Sequence, residues 1–296
     1  MAKAEKHKYE YEIDLESDVA PARILRMIKH GQKVLEIGAG PGSITRCLSG
    51  PMGCDVVAVE IDPAALEKLK PHAREVYAMD LNDPSWSNIL KEREGTFDAI
   101  IAADVLEHVY DPWTVLGGMK SLLNETGSVL LSLPHAGHAS VVACLVDEDF
   151  EYRPWGLLDK THIRFFGIKN MQELCVTQGL AIEQSEFVVR APEMTEFVHR
   201  WLRLPNDVRS ALQRNRFSDV YQVIIRAVPE ERSVRKLRLM SMDVIPPERS
   251  VSSYWKEVMS SIRPSSDSDQ SSTISDRSQN SFWPSFGRSI LRKFGF

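Results

Sequence analysis

From Lys33 to about Leu133 the chain alternates short β-branched, apolar runs with segments that carry helix signals, and no other feature limits its fold as much. KVLEI (33–37), DVVAVEI (55–61), EVYAMD (75–80), FDAIIAA (97–103) and SVLLSL (128–133) read as strands. Their continuous apolar character belongs to a parallel sheet covered on both faces. Between them lie SITRCLSG, PAALEKLK, PSWSNILKE and DPWTVLGGMKSLL, most of them opened by Pro, Ser or Asp, residues that start helices. Repeated βαβ units of this kind build a doubly wound α/β sheet. After Pro134 the rhythm loosens into helix-like ASVVACLVD, the stretch GLLDKTHIRFFG (156–167), helix-like IKNMQELCVTQ and the run LAIEQSEFVVR. Two amphipathic segments follow, around EFVHRWLRL and DVRSALQRN, and VYQVIIRAV (220–228) is expected to close the sheet.

Composition sets the outer limits. A chain of 296 residues, 43% apolar, can bury a sizeable core. A net charge of -5 with acids and bases intermixed offers no basic field for nucleic acid, so none is expected as a partner. Cys47, Cys54, Cys144 and Cys175 form no CxxC pair, which suits a reducing compartment, and the cytoplasm is the expected location. The charged N-terminus lacks the apolar core of a secretory signal, and no run approaches the ~20 apolar residues that span a bilayer. The expected organisation is an N-terminal extension and helix (1–30), an α/β domain (31–230), a basic then Ser-rich disordered linker (231–280) and a C-terminal segment (281–296). That last segment, SFWPSFGRSILRKFGF, sets five aromatics beside three cations and no acid, a composition suited to peripheral contact with an anionic membrane. Oligomeric state is left open.

The first strand runs directly into Glu36-Ile37-Gly38-Ala39-Gly40-Pro41-Gly42-Ser43. Glycines there permit a tight turn and close backbone approach to a ligand at a helix start. A dinucleotide fingerprint would place its third glycine at position 43, where the chain has Ser43. Glu36, Glu60 and Asp80 fall at the ends of three consecutive strands bordering one crevice. An acid at the position of Glu60 can accept both hydroxyls of a ribose, so a nucleoside-type cofactor is expected.

VLEIGAGPGS, VVAVEID, AMDLND and FDAIIAADVLEHV resemble the successive cofactor motifs of the class I S-adenosylmethionine-dependent methyltransferases over about residues 31–230. The resemblance implies a Rossmann-like seven-stranded sheet, mostly parallel, with an antiparallel last strand supplied by VYQVIIRAV. It implies S-adenosyl-L-methionine as cofactor, with Gly38, Ala39, Gly40 and Gly42 beside the methionyl part, below Glu36. Glu60, with Ile61 beside it, would hold the ribose, Asp80 and Leu81 would border the adenine, and Ala103-Asp104 would close the methionyl side.

Methyl transfer is an in-line displacement, so positioning the nucleophile supplies much of the catalysis, and a hydroxyl also needs a base. His108, His135, His138 and His162 all follow strand ends, where open α/β sheets bind ligands. The stretch from Leu133 to Gly167 is similar to a bacterial methyltransferase group associated with glycosyltransferases and surface polysaccharide synthesis, although His135 stands where an asparagine is usual. That similarity implies a lid with Asp159, His162 and Arg164 facing the acceptor, and the catalytic candidates are His162, Asp159 and His138. Asp104, Glu107 and His108 would share a helix face and resemble, with a shortened first acid, the Glu-X-X-Glu-His motif that accompanies a divalent metal in ubiquinone-pathway O-methyltransferases. Acids at a helix start are the favoured reading, and no metal is expected. The expected reaction is O-methylation of a sugar hydroxyl on a surface glycan or its precursor. The alternatives are a metal-assisted transfer to a quinone-type phenol, or a cofactor-binding subunit without catalysis.

Overall fold

Each apolar run of the first half becomes a strand of one sheet in the computed structural model, which describes residue 7 and residues 9–245. The expected linker beyond residue 245 and the aromatic segment 281–296 lie outside the described residues. The strands are β1 (Lys33–Ile37), β2 (Asp55–Glu60), β3 (Glu75–Ala78), β4 (Phe97–Ala103), β5 (Leu123–Pro134), β6 (Leu180–Val189) and β7 (Val220–Pro229). They lie in the order β3-β2-β1-β4-β5-β7-β6. Strands β1 to β5 pair in parallel, and β7 runs antiparallel to both its neighbours. This is the expected Rossmann-like, mostly parallel architecture.

The last strand is antiparallel, as expected, and completes the sheet from within. It inserts between β5 and β6, and β6 forms the edge. The cause is composition. Val220, Val223, Ile224, Ile225 and Ala227 are all fully buried, whereas β6 carries Glu183, Gln184 and Glu186, polar groups that an edge strand tolerates.

Among the described residues nine helices accompany the sheet: α1 (Ala20–Arg26), α2 (Ser43–Ser49), α3 (Pro63–Leu69), α4 (Trp86–Glu94), α5 (Pro112–Ser121), α6 (Ala139–Val146), α7 (Ile168–Thr177), α8 (Val198–Arg203) and α9 (Asn206–Gln213). Asp62 and Asp111 cap α3 and α5, each just before a proline, so the Pro signals mark true helix starts. Alternate residues of one strand serve opposite layers. Leu35 and Ile37 join Leu116, Met119 and Leu174 on one face, while Val34 joins Ile24, Leu48 and Ile101 on the other.

The domain also runs further than the expected boundary at 230. The Leu237 amide donates to the Ile182 carbonyl at 2.8 Å, and the Leu239 amide donates to Gln172 Oε1 at 2.8 Å with its side chain fully buried. Within the basic run VRKLRLM, Leu237 and Leu239 cover one end of the core, an apolar alternation that the cations conceal in the sequence. Among the described residues no helix is long and apolar enough to cross a membrane.

Candidate functional site

The ends of β1, β2, β3 and β4 open on one cleft of about 820 Å³, room for a nucleotide-sized ligand and part of a second molecule. Two glycines shape its floor. Gly38 has φ +65°, and a Cβ there would stand 2.7 Å from Val105 Cγ2, so only glycine fits. Gly40 has φ +54°, with open space where a Cβ would be, so its backbone is bare toward the cleft. Glu36, Ala39, Glu60, Ile61, Asp80, Leu81, Ala103 and Asp104 line the same cleft. Gly42 is not among the lining residues. It begins α2, and its Cα faces Leu69 and His72, so it lets α2 approach α3.

The carboxylates of the site are held differently. Glu60 Oε2 accepts the Gly40 amide at 2.7 Å, and Oε1 accepts the amides of Ile61 and Asp62 at 2.7 and 2.8 Å, so this side chain ties the glycine turn to β2. Glu36 is buried, and its Oε2 accepts the Thr45 hydroxyl at 2.6 Å. Burial pushes its pKa up to about 8; the Thr45 bond opposes the shift and the Glu60 charge adds to it. Asp104 adopts φ +55°, which turns it out of β4, and its carboxylate accepts from Ser132 of β5 and Gln222 of β7. Burial raises its pKa as well.

That turn decides the second constellation. Asp104 stands outside the single 3-10 turn Leu106–His108, so Asp104, Glu107 and His108 do not converge as a helical i, i+3, i+4 set. A different trio forms instead. His162, brought in by the segment between α6 and α7, meets Glu107 and His108 with one donor atom from each residue within 4.8 Å of the others. Glu107 is fully buried, and neither carboxyl oxygen has a hydrogen-bond partner. Desolvation, reinforced by Asp104, drives its pKa well above the usual carboxylate range. His162 Nε2 lies 3.8 Å from Glu107 Oε1, and the two imidazole rings are edge to face with centroids 4.7 Å apart. His162 Nδ1 faces the Leu157 carbonyl at 3.2 Å, and His108 Nδ1 faces that of Thr161 at 3.1 Å. A carbonyl only accepts, so both Nδ1 atoms carry protons and both Nε2 atoms are basic in the neutral rings.

The segment 156–167, for which the resemblance implies a lid, is anchored by its apolar residues. Leu157 and Leu158 are buried with Phe197 and Tyr221, Phe166 is buried in the main core, and the amides of Ile163 and Arg164 donate to the Glu107 carbonyl. Asp159 and His162 line the cleft; Asp159 Oδ1 accepts the Thr161 amide and hydroxyl. The other candidates lie elsewhere. Arg164 is spent on the Tyr110 carbonyl, tying the lid down rather than facing an acceptor. His138 is fully buried off the cleft, with Nδ1 capping α6 at Ser140 and Nε2 on the Arg190 carbonyl. Burial takes its pKa down to about 4, and it acts as a neutral cap. His135 is buried too, with Nδ1 on the Val220 carbonyl.

Sequence reasoning missed one wall of the cleft. His7, Tyr9 and Tyr11 line it from the N-terminal segment, which the reading above treats only as a charged extension. A signal was available: Tyr9, Tyr11, Ile13 and Leu15 alternate with Glu10, Glu12 and Asp14, a period of two that lays one side of a segment against the protein. Ile13 and Leu15 do pack on the core. Gln222 and Tyr221 of β7 also line the cleft, because that strand lies inside the sheet.

Residues 7–185 match the family described as a methyltransferase domain. The ubiquinone biosynthesis O-methyltransferases of Xanthomonas campestris pv. campestris (strain B100) and Xanthomonas axonopodis pv. citri (strain 306) are each 27% identical over 126 residues, 42% of this chain and 52% of theirs. The chain thus spans about half the length of the curated relatives it matches. A SAM-dependent methyltransferase from Archaeoglobus fulgidus superposes with a TM-score of 0.51 at 17% identity, covering 70% of this chain and 91% of that one, a likeness of fold.

Proposed function

The chain belongs to the family of methyltransferase domains, S-adenosylmethionine-dependent enzymes, and on that premise we propose that it O-methylates a hydroxyl on the sugar ring of a glycan or glycan precursor. The cleft fits the cofactor: the bare backbone at Gly40 leaves space for a ligand, and Glu36, Glu60 and Asp80 stand on three adjacent strand ends around it. Glu60 would hold the ribose, Asp80 and Leu81 the base, and Gly38, Ala103 and Asp104 the methionyl end. When bound, the cofactor supplies an electrophilic methyl group on a sulfonium sulfur.

The observation that carries the reading is the basic Nε2 of His162 beside Glu107 in the cleft wall. His162 Nε2 would take the acceptor's proton, leaving the oxygen a nucleophile for the methyl group that the cofactor supplies. The imidazolium so formed lies next to the Glu107 carboxyl, whose ionisation it favours, so the pair shares the added charge. Tyr110, Trp155 and Ile163, exposed at the cleft, present apolar surface to the face of a ring acceptor. Methyl-labelled cofactor incubated with glycan, lipid and quinone-precursor fractions tests the acceptor: label in the glycan fraction is expected, and label only elsewhere overturns the sugar reading.

A second reading is favoured by the unpartnered, buried carboxyl of Glu107, an arrangement that ordinarily carries a cost. Glu107, His108 and His162 would hold a divalent cation through one oxygen and two imidazole nitrogens, a set suited to zinc, iron or manganese more than magnesium. The bound cation would lower the pKa of a quinone-type phenol. One metal per chain, lost on chelation or in Glu107→Gln together with turnover, would establish this reading; full activity after chelation would reject it.

Glu36 gives a pH dependence. With its pKa up to about 8, it is mostly protonated at neutral pH. A cationic methionyl end beside it favours the ionised form, so binding should release a proton. Affinity for S-adenosylmethionine should therefore rise with pH below about 8 and level off above it. Titration calorimetry in buffers of different ionisation enthalpy measures the released proton, and Glu36→Gln should abolish the release.

A further inference from the structure

Residues 9–18 cross the cleft without forming a helix or strand and are fastened along their length. The Ser43 hydroxyl, at the start of α2, accepts the Tyr11 amide and lies against the Tyr9 carbonyl, both at 3.1 Å. Glu10 pairs with Lys68 of α3 at 2.5 Å, and Arg26 of α1 donates to the carbonyls of Leu15 and Ser17. The far end of the contact is the lid: the Tyr9 hydroxyl donates to Asp159 Oδ2 at 3.3 Å. Tyr9 and Tyr11 stay 38% and 40% exposed, so burial of their rings does not explain why both line the cleft.

We propose that residues 9–18 form a strap that closes the methionyl side of the cofactor site, in which Tyr11 is a binding residue and Tyr9 a positioning residue that couples the strap to the acceptor lid through Asp159. The proposal rests on the cleft's holding S-adenosylmethionine and not on which hydroxyl receives the methyl. An amino-acid end offers an ammonium and a carboxylate. Glu36 and Asp104 suit the first and repel the second, so a neutral hydrogen-bond donor is needed for the carboxylate. Tyr11 supplies it: it lines the same cleft as Glu36 and Asp104, and a phenol, protonated at neutral pH, is an uncharged donor. The strap must then lift for the cofactor to enter and for S-adenosylhomocysteine to leave, and Tyr9 makes the lid move with it.

The full chain tests this with S-adenosylhomocysteine as probe. In stopped-flow displacement, Tyr11→Phe and Ser43→Ala should each release it about tenfold faster, at a melting temperature close to that of the unaltered chain. Bound S-adenosylhomocysteine should slow chymotrypsin cleavage after Tyr9 and Tyr11 at least tenfold, and Tyr9→Phe should lower kcat for methyl transfer while the equilibrium affinity for the probe holds within threefold. Unchanged release in both variants, with no protection from chymotrypsin, overturns the strap while leaving the cofactor reading intact. Failure of the unaltered chain to bind the probe at all overturns the cofactor reading instead.

Discussion

His162→Ala should lower turnover by about 10²–10⁴-fold, the range for loss of a general base, with the affinity for cofactor nearly unchanged. The residue is 9% exposed, its Nδ1 serves the Leu157 carbonyl and its ring leans on His108, so alanine also removes a structural bond. His162→Asn separates the two effects. Its amide can still donate to the Leu157 carbonyl, yet it offers no basic nitrogen near Glu107. The asparagine variant should melt close to the unaltered chain and be as inactive as the alanine variant. If it retains most of the activity, His162 is not the base; if only alanine is inactive and it also melts early, the residue is structural.

Glu60→Ala carries the second large effect. A carboxylate has about four lone-pair sites, and the amides of Gly40, Ile61 and Asp62 take three. One site remains for a ribose hydroxyl unless the turn rearranges. Losing that bond should cost about 1.5–3 kcal/mol of cofactor affinity, as for hydrogen bonds to charged groups, and a loosened glycine turn should add to it. Titration calorimetry reads the affinity and a thermal melt reads the turn. Undiminished affinity in a folded variant would remove Glu60 from the cofactor site.

Much of this is legible in the sequence because an acidic residue stands at or within two residues of the end of each of the parallel strands β1 to β4. Glu36, Glu60 and Asp80 are read into one crevice from strand ends and Asp104 from the resemblance, and all four line one cleft. The failures share a cause, which is that contacts made across the fold redirect side chains whose local pattern points elsewhere. Asp104 belongs to a helix face by spacing, but Ser132 and Gln222 capture it from two other strands. His138 sits after a strand end like the other histidines, and only its burial under the Arg190 carbonyl makes it a cap. Arg164 has the charge of a substrate contact and spends it on a backbone oxygen. Tyr9 and Tyr11 escape notice because the acids between them dominate the composition of that segment.

The place of β7 sets the order in which a growing chain can complete itself. Among the described residues β6 has β7 as its one neighbour, and β5 has its second neighbour in β7. Until residues 220–229 leave the ribosome, β5 and β6 wait with open edges, templates for pairing with another chain. Synthesis at ~5–20 residues per second makes that wait a matter of seconds between β6 and β7. Gln222 and Tyr221, which line the cleft, arrive in the same step. The binding site is thus one of the last parts of the domain to exist, and an interrupted chain that lacks β7 would be both inactive and prone to aggregate.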